Sequence, residues 1–395
     1  MTTYLNNYQD NIYKTNIYDY YNGVLKISTG VSYGTGNLLY DGRSVLTAAH
    51  IFDGIDYDDI KIYIYDGSKN FTLNAKVTIY NNYDETNING DLAIVTFKTN
   101  LNKLYNRYDI YRQDDEINQN FTAIGYGSIG SGNFGFIDSS DIYKLKITNS
   151  FDADFKTLIN YSNIKLSWNP LINSILISDF DNGYSSTDII GYLNDSSHLG
   201  TGYTEGMIAS GDSGGSAFIN DYIAGIASYT TKMETNKDIG DINNFLDSSF
   251  GEIAAYQRVS YYQEFIDKTI RANYPNAPKS RDEVKKQVSE KDAYAYFMLE
   301  FLPSRDTVND VISVDYTTID GTAKSGEDFI SAFGTLNLYK DESYAIIAVE
   351  LINDNKEESN EYFYLQISNP SHGSFGENVV TLSAIKTIVD DDFIA

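Results

Sequence analysis

The chain has 395 residues and a formal net charge of −26, with 35 tyrosines, 20 phenylalanines and no cysteine. This length suggests two or three domains. The charge argues against nucleic acid as a partner, because phosphate contacts require clustered Lys and Arg. The lack of cysteine excludes disulfides, and no apolar run approaches the ~20 residues that span a bilayer.

The first 20 residues form a polar lead, rich in Tyr and Asn, to which the sequence assigns no role. The lead has neither the basic start nor the apolar run of a signal peptide. We expect an extracellular protein, while removal of a signal, another export route and an intracellular location stay open. Strands are predicted at residues 60–65 and 92–97. Residues 128–210 carry Gly-, Ser-, Asn- and Asp-rich stretches, which indicate inserted loops.

A helix is predicted over residues 261–272. Its apolar residues fall on one face at i, i+3, i+4 spacing: Tyr262, Phe265, Ile266 and Ile270. Two prolines within residues 273–280 end this helix and favour an extended linker. After the linker, apolar and polar residues alternate along 312–317 and 363–367. Such period-two strands, separated by Asp-Gly and Asn-Pro turns, predict an antiparallel β-sandwich.

Three short segments carry the residue types of nucleophilic catalysis, in the order His, Asp, Ser: Leu46–His50, Gly90–Val95 and Ser210–Gly215. A serine hydroxyl is a poor nucleophile at neutral pH and requires a neighbouring base. Histidine suits this role because its pKa lies near the working pH, and a buried carboxylate fixes its tautomer. The segments predict Ser213 as nucleophile, His50 as general base and then acid, and Asp91 as orienting carboxylate.

The glycines beside Ser213 permit a tight turn that aims backbone N–H groups at one point. We predict an oxyanion hole formed by the N–H groups of Gly211 and Ser213. Taken singly, each segment also fits a structural role: His50 as a hydrogen-bonded core histidine, Asp91 as a strand cap and the Ser213 segment as an ordinary turn. Their occurrence together in this order favours catalysis.

Residues 22–272 resemble the trypsin/chymotrypsin-like serine proteases. The resemblance extends to three further stretches. Residues 82–91 are similar to the segment that precedes the catalytic aspartate, residues 224–229 to the strand that lines the specificity pocket, and residues 255–260 to the last strand. The resemblance implies a mainly β fold with two six-stranded antiparallel barrels, at about 23–118 and 121–272, and an active site in the cleft between them.

Two departures from this family stand out. Its members are commonly rich in disulfides, which this chain cannot form. Members also usually mature by cleavage before an Ile-Val-Gly-Gly-like start, whose free amine pairs with the aspartate before the serine, here Asp212. No such tetrapeptide occurs in the chain, so the partner of Asp212 and the means of activation stay open.

The resemblance also locates a substrate pocket. Its base falls at Met207, and its walls fall at the following residues: Ser228, Tyr229, Thr230 and Ala254. A charged P1 side chain needs a buried counter-charge, which Met207 does not supply. We therefore expect a small or medium apolar P1 residue. Glu205 lies close by in sequence and would favour Lys or Arg if the loop were shifted.

Residues 282–393 resemble a Calx-β domain. The motifs are Asp320–Ala323, Gly326–Phe329, Asn360–Phe363, Ile367–Pro370 and Asp390–Asp392. That family often binds calcium at one end of its sandwich, and calcium takes six to eight oxygen ligands. The resemblance implies the following ligands: Glu290, Asp328, Asp354, Glu358, Asp390, Asp391 and Asp392. The alternative is that these are solvated turn carboxylates.

The sequence therefore predicts a lead (1–20), a trypsin-like protease domain (21–272), a linker (273–281) and a Calx-β-like sandwich (282–395). We expect a serine endopeptidase that acts on protein or peptide substrates and carries a calcium-binding accessory domain. The alternative is an adhesion or protein-binding module in which the protease fold is a scaffold. The oligomeric state is not predicted.

Overall fold

The computed structural model describes residues 1–15, 19–55, 59–137, 143–160, 166–233, 239–301 and 311–392, without the side chains of 157–159. The chain divides into two compact units, Met1–Ile266 and Asp267–Ala395. The boundary falls within the helix Val259–Ala272. Strands dominate both units, as the sequence predicted.

Six strands of the first unit close into a barrel, in the order β2-β3-β4-β7-β6-β5. They are β2 (Val24–Ser28), β3 (Tyr33–Leu38), β4 (Ser44–Thr47), β5 (Ile60–Tyr65), β6 (Asn70–Ile79) and β7 (Ala93–Phe97). In β5, Ile62 and Ile64 are buried while Lys61 and Tyr63 are exposed, the alternation of a half-buried strand. The predicted strand at 60–65 is confirmed, and the one at 92–97 begins one residue later.

The rest of the first unit is built on a seven-stranded sheet, in the order β11-β8-β15-β16-β17-β13-β12. Its strands are β8 (Asn120–Gly125), β11 (Leu145–Ser150), β12 (Ala153–Asp154), β13 (Ile175–Asp179), β15 (Ser216–Ile219), β16 (Tyr222–Lys232) and β17 (Glu252–Arg258). The implied second six-stranded barrel is thus a sheet whose described end strands do not pair. Instead, the Asn149 side chain of β11 donates to the backbone oxygen of Asp179 in β13 (2.7 Å).

The polar lead belongs to the first unit. Its residues Thr2–Thr3 form strand β1, which joins β9 (Ile129–Ser131), β10 (Gly135–Ile137) and β14 (Gly206–Met207) in a second sheet. Thr2 pairs with Met207 on one side and with Gly130 on the other. The first three residues are therefore buried, which the sequence did not predict.

Three α-helices are described: α1 (Phe155–Asn160), α2 (Ile189–Asn194) and α3 (Val259–Ala272). Short 3₁₀ turns lie at Tyr20–Gly23, Ala49–Phe52, Gly202–Thr204 and Arg281–Glu283. The predicted α3 is confirmed, and Tyr262, Ile266 and Ile270 on its apolar face are buried. Phe265 is half-buried against the ring of Tyr80. None of the helices in the described ranges is long and apolar enough to cross a bilayer.

The second unit contains a five-stranded sheet, in the order β18-β24-β23-β20-β21, and a two-stranded sheet, β19-β22. The strands are β18 (Gln287–Ser289), β19 (Tyr294–Glu300), β20 (Ile312–Asp320), β21 (Phe333–Leu338), β22 (Tyr344–Glu350), β23 (Glu361–Ser368) and β24 (Thr381–Val389). Inward-facing residues of both sheets, among them Phe297, Val349 and Phe363, form one core. The predicted sandwich is confirmed, with one parallel pair, β18 and β24.

Candidate active site

His50 and Asp91 meet because they extend from two paired strands. Strand β4 leads into the turn that carries His50, and Asp91 lies just before β7; Thr47 of β4 is in register with Ala93 of β7. The His50 backbone N–H donates to Asp91 Oδ1 (2.9 Å), and His50 Nδ1 lies 2.8 Å from Asp91 Oδ2. One carboxylate thus holds both the backbone and the ring of the histidine.

The Asp91 carboxylate is fully buried and has a further partner on β16 of the seven-stranded sheet. The Ser228 hydroxyl donates to Asp91 Oδ2 (2.5 Å), and Gln257 Nε2 donates to the Ser228 oxygen (3.3 Å). Burial alone would lower the pKa of His50, but the hydrogen bond and charge of Asp91 outweigh it and raise the pKa above its ordinary value. This favours an imidazole that can accept a proton near neutral pH.

The turn that carries Ser213 packs on the same end of the barrel. The Thr35 N–H donates to the Ser213 carbonyl (2.8 Å). A Cβ on Gly214 would lie 2.1 Å from Thr47 Oγ1, so only glycine permits this approach to the strand that precedes His50. Gly214 also has a φ of +81°, which favours glycine. The fold therefore brings the Ser213 turn beside the His50 turn.

The N–H groups of Gly211 and Ser213 remain available for a ligand. Gly211 has a φ of +90°, and the neighbouring N–H groups of Asp212 and Gly214 donate to Ala209 and Ala227. Within the described residues, the N–H groups of Gly211 and Ser213 donate to no acceptor. Unpaired backbone donors of this kind are what an oxyanion hole is built from.

Asp212 has an ion-pair partner that the sequence left open. The Met1 α-ammonium group lies 2.8 Å from Asp212 Oδ2, with side-chain exposures of 1% and 0%. The ammonium group also donates to the Ser128 carbonyl (2.5 Å), and Asp212 Oδ1 accepts from the Gly127 N–H (2.7 Å). This pair fixes the residue immediately before Ser213. No local motif around Met1 signals it.

The proposed pocket residues lie on β14, β16 and β17. Thr230 and Ala254 face each other in the register of β16 and β17. Met207 and Ala254 are buried in one apolar cluster. The Tyr229 hydroxyl accepts from Trp168 Nε1 (3.2 Å). Glu205 is buried, and its carboxylate oxygens accept from backbone N–H groups of Asp181 and Thr201 instead.

The carboxylates of the second unit converge in two groups, Glu290–Asp390–Asp392 and Asp328–Glu358–Glu361. Within each group, one oxygen of every member lies within 4.8 Å of the others. Glu361 was not predicted, although it opens β23 within the Asn360–Phe363 motif. Of the remaining expected ligands, Asp391 accepts from Ser289 Oγ (2.8 Å), and the Asp354 N–H donates to Glu290 (2.9 Å).

Family models match both parts of the chain. Residues 11–154 match the Trypsin model, and residues 282–392 match the Calx-beta domain model. The chain therefore carries a Trypsin match followed by a Calx-beta match, the two families that its motifs indicated.

Curated relatives match a smaller share of the chain. The sodium/calcium exchanger Calx of Drosophila melanogaster is 35% identical over 88 residues, which are 22% of this chain and 9% of that protein. Human sodium/calcium exchanger 2 is 33% identical over 97 residues, covering 21% and 10%. The chain thus spans about a tenth of the length of these relatives.

Two solved structures resemble about two thirds of the chain. An inactivated protease paralogue of the scabies mite, S-D1, is 17% identical with a TM-score of 0.46, covering 67% of this chain and 97% of that one. Neuropsin, a serine protease expressed in the limbic system of mouse brain, is 14% identical with a TM-score of 0.45, covering 65% and 98%.

The Met1–Asp212 pair yields a first prediction. Asp212→Asn leaves the Met1 ammonium group buried without a counter-charge, and breaking a buried pair in this way typically costs about 3–5 kcal/mol. We expect a lower free energy of unfolding in denaturant titrations and faster labelling of the α-amino group by an amine reagent. Asp221→Asn, the same change at an exposed turn, is the control. Equal stability and labelling in the two variants would contradict the role of the pair.

Proposed function

We propose that the chain is a serine endopeptidase that hydrolyses peptide bonds through an acyl-enzyme on Ser213. The observation that carries this proposal is the His50–Asp91 pair, 2.8 Å between Nδ1 and Oδ2, beside the Ser213 turn. The unpaired N–H groups of Gly211 and Ser213 support it, because they would face a developing oxyanion.

In this mechanism, Ser213 Oγ attacks the peptide carbonyl carbon while His50 Nε2 takes the hydroxyl proton. The N–H groups of Gly211 and Ser213 bind the oxyanion. His50 then gives its proton to the leaving amine, the C–N bond breaks, and an ester on Ser213 remains. Water attacks the ester through the same base, and the C–O bond breaks as the proton returns to Ser213. Asp91 stabilises the imidazolium throughout.

Removing the nucleophile tests this proposal. Ser213→Ala should abolish peptide hydrolysis, by several orders of magnitude in kcat, and should abolish covalent labelling by an organophosphonate. Both are measured on purified protein by fluorogenic peptide assay and intact-mass spectrometry. The fold should persist, since the Ser213 hydroxyl has no hydrogen-bond partner among the described residues whose loss would leave a buried group unpaired.

Ser210→Ala is the matched control, because Ser210 is an exposed serine in the same turn. It should retain both hydrolysis and labelling. Labelling that persists in Ser213→Ala would contradict the assignment of the nucleophile. A wild-type protein that neither hydrolyses peptides nor reacts with the reagent would leave the binding-module alternative.

We further propose a small or medium apolar P1 residue. Met207 at the expected pocket base carries no charge, and the nearby Glu205 carboxylate already accepts two backbone N–H groups. Peptide-library digestion, with cut sites mapped by mass spectrometry, should therefore show few cleavages after Lys or Arg. A cut-site profile dominated by those residues would contradict this proposal and would implicate a buried acid at the pocket base.

Calcium is the proposed ligand of the second unit. The two groups of carboxylates present oxygen donors alone, which suit a hard cation, and Asp392 Oδ2 is buried without a partner among the described residues. Glu290, Asp390 and Asp392 would hold one ion, and Asp328, Glu358 and Glu361 would hold another. A bound ion would offset the mutual repulsion of these carboxylates.

Calcium should therefore stabilise the second unit. A ligand that binds the folded state alone adds RT ln(1 + [L]/Kd), roughly 2.7 kcal/mol at a hundredfold excess over Kd. Calorimetry of the full chain in calcium and in chelator should show a higher unfolding midpoint in calcium. Asp390→Asn should reduce that difference, whereas Glu377→Gln, an exposed acid of the same unit, should not. If Asp390→Asn shows the same calcium-dependent rise in the unfolding midpoint as the wild type, these carboxylates are solvated turn residues and not ligands.

For the organisation of the chain, we propose a protease domain over 21–272, a linker over 273–281 and a Calx-β domain over 282–395. The buried β1 strand adds the first residues of the lead to the protease unit. Proteins and peptides are the proposed substrates, and an extracellular location remains our proposal.

A further inference from the structure

A third group of carboxylates lies in the first unit, where β13 ends and α2 begins. Asp179 is the last residue of β13, Asp181 follows two residues later, and Asp188 caps the N-terminus of α2. One carboxylate oxygen from each lies within 4.8 Å of the others. All three residues are buried, unlike the solvated acids that a charge of −26 suggests.

Two members of this group are held by backbone donors. Asp179 Oδ2 accepts from the Ile190 N–H (2.6 Å), and Asp188 Oδ1 accepts from the Gly191 N–H (2.8 Å). Asp181 differs, since it is 1% exposed and neither of its carboxylate oxygens has a hydrogen-bond partner among the described residues. A buried carboxylate with two unpaired oxygens is costly unless a ligand completes it.

The surroundings do not balance this negative charge. Of the described Lys and Arg residues, none forms an ion pair with Asp179, Asp181 or Asp188. The imidazole of His198 lies nearby but is paired with Asp152 (3.2 Å). Three converging carboxylates therefore lack a cation in their midst.

We propose that Asp179, Asp181 and Asp188 bind a divalent cation, and that the cation is calcium. The donors are carboxylate oxygens without nitrogen or sulfur, which suits a hard ion rather than a transition metal. Both free oxygens of Asp181 could serve as ligands. The ion would tie the end of β13 to the start of α2 across the intervening loop. This proposal does not depend on peptidase activity.

The test measures calcium stoichiometry by isothermal titration of the full chain with calcium chloride. A background variant, Glu290→Gln with Asp328→Asn and Asp390→Asn, disables the two groups of the second unit. We expect this background to retain one bound calcium and to lose it when Asp181→Asn is added. Glu252→Gln is the control, because Glu252 is a buried acid of the same unit with an unpaired oxygen outside the group.

Thermal unfolding separates ion binding from a folding defect. In chelator, the variant that adds Asp181→Asn to the background should unfold at the same temperature as the background or at a higher one, because the change replaces an unpaired buried carboxyl. In calcium, the background should unfold at a higher temperature than the variant that also carries Asp181→Asn. If Asp181→Asn does not fold, Asp188→Ser removes a ligand while keeping a helix-capping residue, and should show the same loss. Equal calcium stoichiometry with and without these changes would overturn the proposal.

Discussion

The buried ion pair between Met1 and Asp212 is the interaction on which the candidate active site depends. A charge taken out of water is costly unless an opposite charge and hydrogen bonds replace the water. Here the ammonium group also donates to Ser128, and the carboxylate accepts from Gly127. Neither charge can be buried without the other. Because Asp212 precedes Ser213, burial of the N-terminus and ordering of the Ser213 turn are coupled.

The local part of the candidate site could be predicted from sequence because its signals are local. His50 and Asp91 adjoin strands whose apolar runs are visible in the sequence, and pairing of those strands is enough to bring them together. The Ser213 turn is equally visible, since its glycines are required by positive φ and by close approach to Thr47. The amphipathic α3 was predictable for the same reason: one helix face carries the pattern.

What the sequence could not predict depends on tertiary burial. Nothing in the polar lead distinguishes Met1 from the start of a solvated tail, because its partner lies more than two hundred residues away. The seven-stranded sheet differs from the implied barrel because its described end strands do not pair, and the Asn149 side chain instead donates to the backbone oxygen of Asp179. Likewise, Glu361 resembles any acid at a strand start until β23 places it beside Asp328.

Burying a carboxylate is costly for both Asp212 and Asp181, but the surroundings of the two residues differ. The fold of the first unit buries both carboxylates. Asp212 is balanced from within the chain by the Met1 ammonium group and two N–H groups. Neither carboxylate oxygen of Asp181 has a hydrogen-bond partner among the described residues, and two more carboxylates converge on it. The chain supplies the balancing charge for Asp212, whereas for Asp181 a proton or the proposed calcium ion would supply it.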